Sequence, residues 1–165
     1  MEVGTKDILY KLAREFGLGR DSMVDRLKLQ KTIYLLQAWG LPLGYGFGWY
    51  IYGPYSQELV YDAYRVMTME KDEYEKSTIE WRFSDNTKQW LDRFRQVLGG
   101  VLGDPKRLEL VASVDFVRTT WYPQARRGEI AKLFRKHKKV FYDREQIDHS
   151  QIEEAFDVCE RLRQN

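Results

Sequence analysis

The segment that most constrains the fold is residues 23–39, because apolar side chains recur there on two sides of one helix. One stripe is Leu29, Ile33 and Leu36, and the other is Leu27, Tyr34, Leu35 and Ala38. Ser22 precedes the segment, and Asp25 follows three residues later as an acidic form of the capping box. A helix that is apolar on two sides usually packs between other elements. We therefore predict a central helix over 23–39, inside a helical scaffold.

Two later segments alternate in the manner of β-strands, at residues 45–52 and 78–83. In the first, Tyr45, Phe47 and Trp49 are predicted to face the core, and the pair Gly53-Pro54 to end the strand. The glycines at 46 and 48 lie on the opposite face, where we expect another backbone to pack closely. The prediction is a small two-stranded sheet formed by these two segments.

The C-terminal third reads as helical. Asp104-Pro105 is typical of an N-cap followed by the first helical residue, and further helical patterns follow near 129–136 and from Ser150 onward. The run 99–103 is the only plausible boundary, between an N-terminal region (1–100) and a three-helix C-terminal subdomain (104–165), which a winged-helix arrangement would also satisfy. We predict one compact domain of the α+β class, predominantly helical.

The composition limits where the protein can be located in the cell and which metal or disulfide sites it can contain. The 165 residues carry a net charge of only +2 and a single cysteine, Cys159, so neither an internal disulfide nor a cysteine-cluster metal site is available. The N-terminus lacks a signal-peptide pattern, and no apolar run reaches membrane-spanning length. We expect a cytoplasmic protein with no membrane association, no metal and no cofactor.

Catalytic motifs are sparse. Neither a phosphate-binding loop, nor a zinc-protease His-Glu-x-x-His, nor a Gly-x-Ser-x-Gly elbow occurs. Arg144 and His149 have the Arg-x-x-x-x-His spacing of HEPN-type ribonucleases, in which the two side chains act together on a phosphodiester. A chance match of this kind is common, and the predicted strands fit an all-helical family poorly. The chain is predicted not to be an enzyme, and a ribonuclease ranks third among its functions.

Basic residues cluster between 126 and 139, where only Glu129 opposes them. The cluster is Arg126, Arg127, Lys132, Arg135, Lys136, Lys138 and Lys139. Such a run is most often a solvated face. It could also contact nucleic acid phosphates as in a winged helix, an acidic partner protein, or the acidic last helix of the same chain. A nucleic-acid-binding regulator is therefore the second predicted function.

Aromatic residues are dense between 45 and 55. Tyr50 and Tyr52 share the strand face that points away from the core, and Tyr55 lies in the following turn. Tyrosine offers a large contact area at low entropic cost. These three tyrosines are the predicted partner-binding surface.

Two motifs resemble a known family. Lys28-Leu29-Gln30-Lys31, with Tyr34, Gln37-Ala38-Trp39 and Pro42-Leu43, resembles the opening of the Panacea domain family, which includes SocA-type antitoxins and proteolytic adaptors. Residues 49–56, with Glu58-Leu59, are similar to YwgA-type proteins, as are 108–113 and 152–156. The resemblance implies a non-enzymatic module that recognises another protein, such as a toxin encoded beside it; it does not specify an oligomeric state.

The motif residues need not form the binding surface. The family motif consists of Lys28, Gln30, Lys31, Trp49, Gly53 and Pro54. All four polar side chains, Lys28, Gln30, Lys31 and Gln37, are expected on the narrower polar flanks of the central helix. Gln30 and Gln37 are seven residues apart and form one stripe there. We predict that the glutamines hydrogen-bond the adjacent turn, because burying them unpaired would cost ~1–3 kcal/mol each. Contact with a partner is the alternative.

Overall fold

A computed structural model describes residues 2–137 and 146–164. Those residues form eight α-helices and one β-hairpin. The elements are α1 (Thr5–Glu15), α2 (Met23–Trp39), β1 (Gly48–Tyr50), β2 (Gly53–Tyr55), α3 (Gln57–Tyr64), α4 (Lys71–Glu80), α5 (Asp85–Leu98), α6 (Pro105–Thr120), α7 (Arg127–His137) and α8 (His149–Arg163). A π-helical turn (Arg65–Met69) joins α3 to α4, and a 3₁₀ turn (Gly99–Gly103) joins α5 to α6. The predicted α+β, predominantly helical class is confirmed.

The helix α2 is the central element, as its two apolar stripes predicted. Ser22 and Asp25 form the reciprocal capping box, with the Ser22 hydroxyl 3.0 Å from the Asp25 amide and the Asp25 carboxylate 3.1 Å from the Ser22 amide. Nine of its 17 residues are buried. It packs against α6, α8 and β2, so neither long side of the helix is left to solvent.

The helix α6 forms the second wall of the core. Asp104 caps it, and the ten residues from Leu108 to Val117 are all buried. It contacts α2, α8 and the hairpin. Among the described residues, one hydrophobic core extends from Leu9 in α1 to Leu162 in α8, so the N-terminal region and the C-terminal helices share a core.

An ion pair between a buried carboxylate and an arginine at the surface fixes α8 against this core. Asp115 of α6 is fully buried and accepts hydrogen bonds from Arg163 of α8 at 2.6 and 3.1 Å and from the Tyr34 hydroxyl of α2 at 2.7 Å. Burial, followed by the Asp115 carboxylate, holds the pKa of the Tyr34 phenol well above its usual value. A buried carboxylate needs such partners. The Asp115 carboxylate therefore links α2, α6 and α8.

The predicted strand at 78–83 is wrong. Residues up to Glu80 belong to α4, and Ile79 is 76% exposed. The Lys11 ammonium donates to the carbonyl oxygens of Thr78 and Trp81, each at 3.3 Å, and lies 5.1 Å from the centre of the Trp81 ring. A lysine of α1 thus satisfies carbonyls at the end of α4. The residues that alternate in the sequence form the last turn of α4 and the segment that follows it.

The sheet is instead a local hairpin. Strands β1 and β2 pair antiparallel, with Trp49 opposite Pro54, and Gly53 begins the second strand where we had expected the first to end. Ile51, at the turn, is 79% exposed. The expected close approach at glycines 46 and 48 is also wrong: a Cβ at Gly46 would meet nothing within 4 Å, and one at Gly48 would meet only the Tyr50 ring. The close approach occurs at Gly53.

The described residues of the C-terminal part (104–137 and 146–164) form three helices, α6, α7 and α8, as predicted. Among these described residues there is no strand, so the wing of a winged helix has no counterpart there. The last helix is capped by Asp148 with Gln151, so its cap lies two residues before the predicted start at Ser150. No helix in the described parts of the chain has the length and apolarity needed to cross a bilayer.

Candidate partner-binding cleft

The glutamines of α2 hold the hairpin segment at both ends. At one end, the Gln30 amide donates to the Ser56 carbonyl oxygen at 2.9 Å and accepts from the Ser56 amide at 2.9 Å. At the other, Gln37 donates to the Tyr45 carbonyl oxygen at 3.0 Å and accepts from the Tyr45 amide at 2.8 Å. Each glutamine side chain therefore bonds both the amide and the carbonyl group of one residue, as a neighbouring β-strand would. The predicted bonds to the adjacent turn are found.

Lys31 adds a third tether between α2 and the hairpin. Its ammonium donates to the Pro54 carbonyl oxygen at 2.6 Å. The expected position of Lys31 and Gln30 on polar flanks is wrong, since they are only 2% and 3% exposed; Lys28 and Gln37 are half-buried. Polar groups this deeply buried require hydrogen-bond partners, which the hairpin backbone supplies.

The other motif residues pack the hairpin onto α6. The Trp49 ring stacks on Phe116 with centroids 5.6 Å apart and meets Trp121 edge-on at 5.3 Å. Gly53 has a φ of +87°, and a Cβ built on it would lie 2.2 Å from the Ser113 hydroxyl oxygen. Only glycine fits that combination of backbone angle and close approach. The hairpin is thus fixed between α2 and α6.

A cleft of about 370 Å³ opens between the start of α2, the hairpin and α3. Its walls are largely apolar, and the predicted contact residues Tyr52 and Tyr55 lie on one of them. The lining residues are Arg20, Met23, Arg26, Leu27, Leu29, Gln30, Lys31, Tyr52, Tyr55, Val60 and Ala63. An apolar cleft with a few placed polar groups is typical of a binding site.

Tyr50 extends this surface without lining the cleft. Its side chain is 56% exposed, and its ring lies 4.9 Å from that of Tyr55. The structure therefore brings together all three of the predicted tyrosines on one hairpin, with Tyr52 and Tyr55 half-buried at the cleft. Beside them, Met23 of α2 and Ile51 of the turn are large apolar residues left exposed.

Two arginines at the cleft were not predicted. Arg20 donates to the Thr68 hydroxyl at 3.3 Å, and its guanidinium lies 4.7 Å from the centre of the Tyr64 ring. Arg26 donates to the carbonyl oxygen of Arg20 at 3.1 Å. Both groups are therefore positioned by neutral partners. No local pattern in the sequence predicts this, because Arg20 reaches Tyr64 and Thr68, more than 40 residues later, through the tertiary fold.

The basic cluster is partly used within the chain. Arg127 pairs with Glu153 at 2.6 Å and with Asp157 at 2.9 Å, both in the acidic last helix. The hydrogen bond to Asp157 and, to a lesser extent, the charge of Glu153 hold the pKa of the Arg127 guanidinium above its usual value. Of the four alternatives, intramolecular pairing thus accounts for Arg127. Arg126, Lys132, Arg135 and Lys136 are exposed, and Lys138 and Lys139 fall outside the described residues.

The distance between Arg144 and His149, the predicted ribonuclease pair, cannot be described. His149 begins α8, whereas Arg144 lies outside the described residues. Among residues 2–137 and 146–164, no group of three or more His, Cys, Asp or Glu side chains is placed to hold a metal ion.

Fold and cleft together define a helix-rich α+β domain in which a tethered aromatic hairpin borders an apolar cleft. Comparison with known proteins adds no family to this description: no family model matches the chain, and no curated protein matches it.

Proposed function

We propose that the chain is a cytoplasmic, non-enzymatic protein-recognition module, antitoxin- or adaptor-like, which binds a partner protein such as a toxin encoded beside it. The observation that carries the proposal is the apolar cleft walled by Tyr52 and Tyr55. Aromatic side chains at a concave apolar surface are the usual anchors of protein interfaces. The resemblance of residues 28–31 and 49–56 to the Panacea and YwgA-type proteins supports the same function.

The tethers to α2 favour recognition for a second reason. Ordering a mobile side chain on binding costs ~0.5–1.5 kcal/mol, and ordering a loop costs more. Gln30, Lys31 and Gln37 hold the hairpin segment in place before any partner arrives. A partner would therefore meet tyrosines that are already positioned.

The test is co-expression with the protein encoded next to the gene for this chain. The neighbour alone should arrest growth, and the chain should restore growth and co-purify with it. Tyr52→Ala and Tyr55→Ala should each weaken the complex by about tenfold or more, as loss of an interface anchor does. Ile79→Ala, on exposed α4 away from the cleft, is the matched control and should bind as wild type.

Two outcomes decide against the proposal. One is a neighbour that is harmless and does not co-purify. The other is a complex that forms equally well with Tyr52→Ala, Tyr55→Ala and Ile79→Ala, provided that circular dichroism shows all three variants folded.

Nucleic-acid binding through α7 is the second candidate, and the exposure of Lys132, Arg135 and Lys136 favours it. It requires binding of duplex DNA at low salt, with an affinity that falls steeply as salt rises. Charge reversal at Arg135 and Lys136 should abolish that binding. Absence of binding by the wild-type chain at low salt would end this alternative.

A further inference from the structure

The charges at the cleft all have one sign. Arg20, Arg26 and Lys31 line it, and no Asp or Glu is among the described residues that do so. The acidic residues nearest in sequence lie elsewhere: Asp25 caps α2 through the Ser22 amide, and Asp21 is exposed outside the lining. The local field in the cleft is therefore positive, although the chain as a whole is nearly neutral.

The two arginines keep their charges uncompensated. Arg20 is oriented by a hydroxyl and an aromatic ring, and Arg26 by a backbone carbonyl oxygen. Neither forms an ion pair with any residue of the described parts of the chain. Arg127 on α7 shows the contrast, since its guanidinium is taken up by two carboxylates. A guanidinium held in place without a carboxylate is suited to receive one from a ligand, often through two parallel hydrogen bonds.

We propose that the cleft takes a short segment of a partner protein in which a large apolar side chain stands close to a carboxylate. The apolar side chain enters between Leu27, Val60 and the ring of Tyr55, and the carboxylate meets Arg20 and Arg26. A volume of about 370 Å³ lies at the lower end of ligand pockets, so the cleft holds a few side chains and not a whole helix. This proposal rests on the proposed function and specifies its ligand.

The test selects ligands without assuming the partner. A phage-displayed library of random linear peptides is panned against the full chain, against Arg20→Glu/Arg26→Glu, and against Lys132→Glu/Lys136→Glu. The last variant changes the net charge equally but on exposed α7, and is the matched control. Peptides enriched on the wild type and on the control should combine Leu, Phe or Trp with Asp or Glu. The arginine variant should not enrich them.

Affinity is then measured by fluorescence anisotropy with one enriched peptide. Replacing its acidic residue by the neutral amide, or using Arg20→Glu/Arg26→Glu, should weaken binding by about tenfold or more, because truncating one partner of a charge pair in an interface has an effect of that size. The control variant should bind as wild type. Higher salt should weaken the wild-type complex.

Failure of this proposal is distinguishable from failure of the proposed function. Enriched peptides without acidic residues, lost with Tyr55→Ala but not with the arginine variant, would overturn the acidic ligand and leave the cleft as a protein-binding site. Peptides whose binding neither Tyr55→Ala nor the arginine variant weakens would overturn both.

Discussion

Gly53 lets the hairpin pack directly against α6, and replacing it should lower the free energy of unfolding for two reasons. Its φ of +87° lies in the left-handed region, where an L-residue costs ~1–2 kcal/mol. In addition, the Cβ of Gly53→Ala would lie 2.2 Å from the hydroxyl oxygen and 3.3 Å from the Cβ of Ser113. Overpacking of this kind costs a further ~1–3 kcal/mol. The free energy of unfolding should therefore fall by roughly 2–5 kcal/mol.

Gly44 supplies a matched control for the backbone part. Its φ is +84°, almost that of Gly53, but a Cβ there would meet nothing within 4 Å. Gly44→Ala should cost only the ~1–2 kcal/mol of the left-handed conformation. The difference between the two alanine variants then measures the clash with α6.

Ser113 supplies the second control, because its buried hydroxyl has no hydrogen-bond partner among the described residues. Removing an unsatisfied buried hydroxyl costs little and can stabilise. Ser113→Ala alone should therefore leave stability equal or higher. Combined with Gly53→Ala it should recover a large share of the clash, which gives a coupling energy of ~1–3 kcal/mol in a double-mutant cycle.

The assay is urea unfolding followed by far-UV circular dichroism, with the slopes of the transitions compared so that a change in midpoint can be attributed to stability. The opposite result is that Gly53→Ala and Gly44→Ala cost the same and Ser113→Ala leaves the cost of Gly53→Ala unchanged. In that case the approach of the hairpin to α6 would have no energetic weight.

Three further predictions follow from buried groups. Gln30→Ala should lower the free energy of unfolding by ~2–4 kcal/mol in the same assay, because it leaves the amide and carbonyl of Ser56 without their partner; a loss under 1 kcal/mol would contradict it. Burial, together with a carboxylate neighbour, raises the pKa of both Tyr34 and Tyr45, so the folded chain keeps protons that the unfolded chain loses above pH ~10. Stability should be intact below that pH and fall above it by ~1.4 kcal/mol per pH unit and tyrosine, and urea midpoints that stay constant from pH 9 to 11 would exclude this. Burial raises the pKa of the Cys159 thiol, so Ellman's reagent should react with it only in urea; reaction at the rate of a free thiol in buffer would show it to be accessible.

The sequence predicted the elements whose signals are local. The two-sided apolar pattern of residues 23–39 identified the central helix, and the spacing of Gln30 and Gln37 pointed to hydrogen bonds with the adjacent turn, both of which the structure contains. These features depend on side chains a few residues apart on one helix, where the period fixes which face each occupies. Such signals do not depend on contacts with distant parts of the chain.

The failures have a common physical origin in tertiary contacts. Alternation over residues 78–83 resembled a strand, but Lys11, about 70 residues away, satisfies the carbonyls there. Glycines 46 and 48 looked like sites of close approach, whereas Gly53 has that role because α6 brings Ser113 against it. Arg20 likewise acquires its place beside the Tyr64 ring, at the cleft, only through the fold.

The polar residues of α2 link the stability of the fold to the shape of the cleft. Gln30 and Lys31 line the cleft and, with the same side chains, bind the backbone at Ser56 and Pro54. Replacing either one therefore perturbs the hairpin and the cleft together. Tyr55 differs, since it lines the cleft and the described tethers to α2 run through backbone atoms of Pro54 and Ser56, on either side of it. In the proposed complex, a substitution at Tyr55 should therefore change binding while α2 continues to hold the hairpin. Loss of binding in a Tyr55 variant would report on recognition, whereas loss of binding in a Gln30 variant would report on the fold.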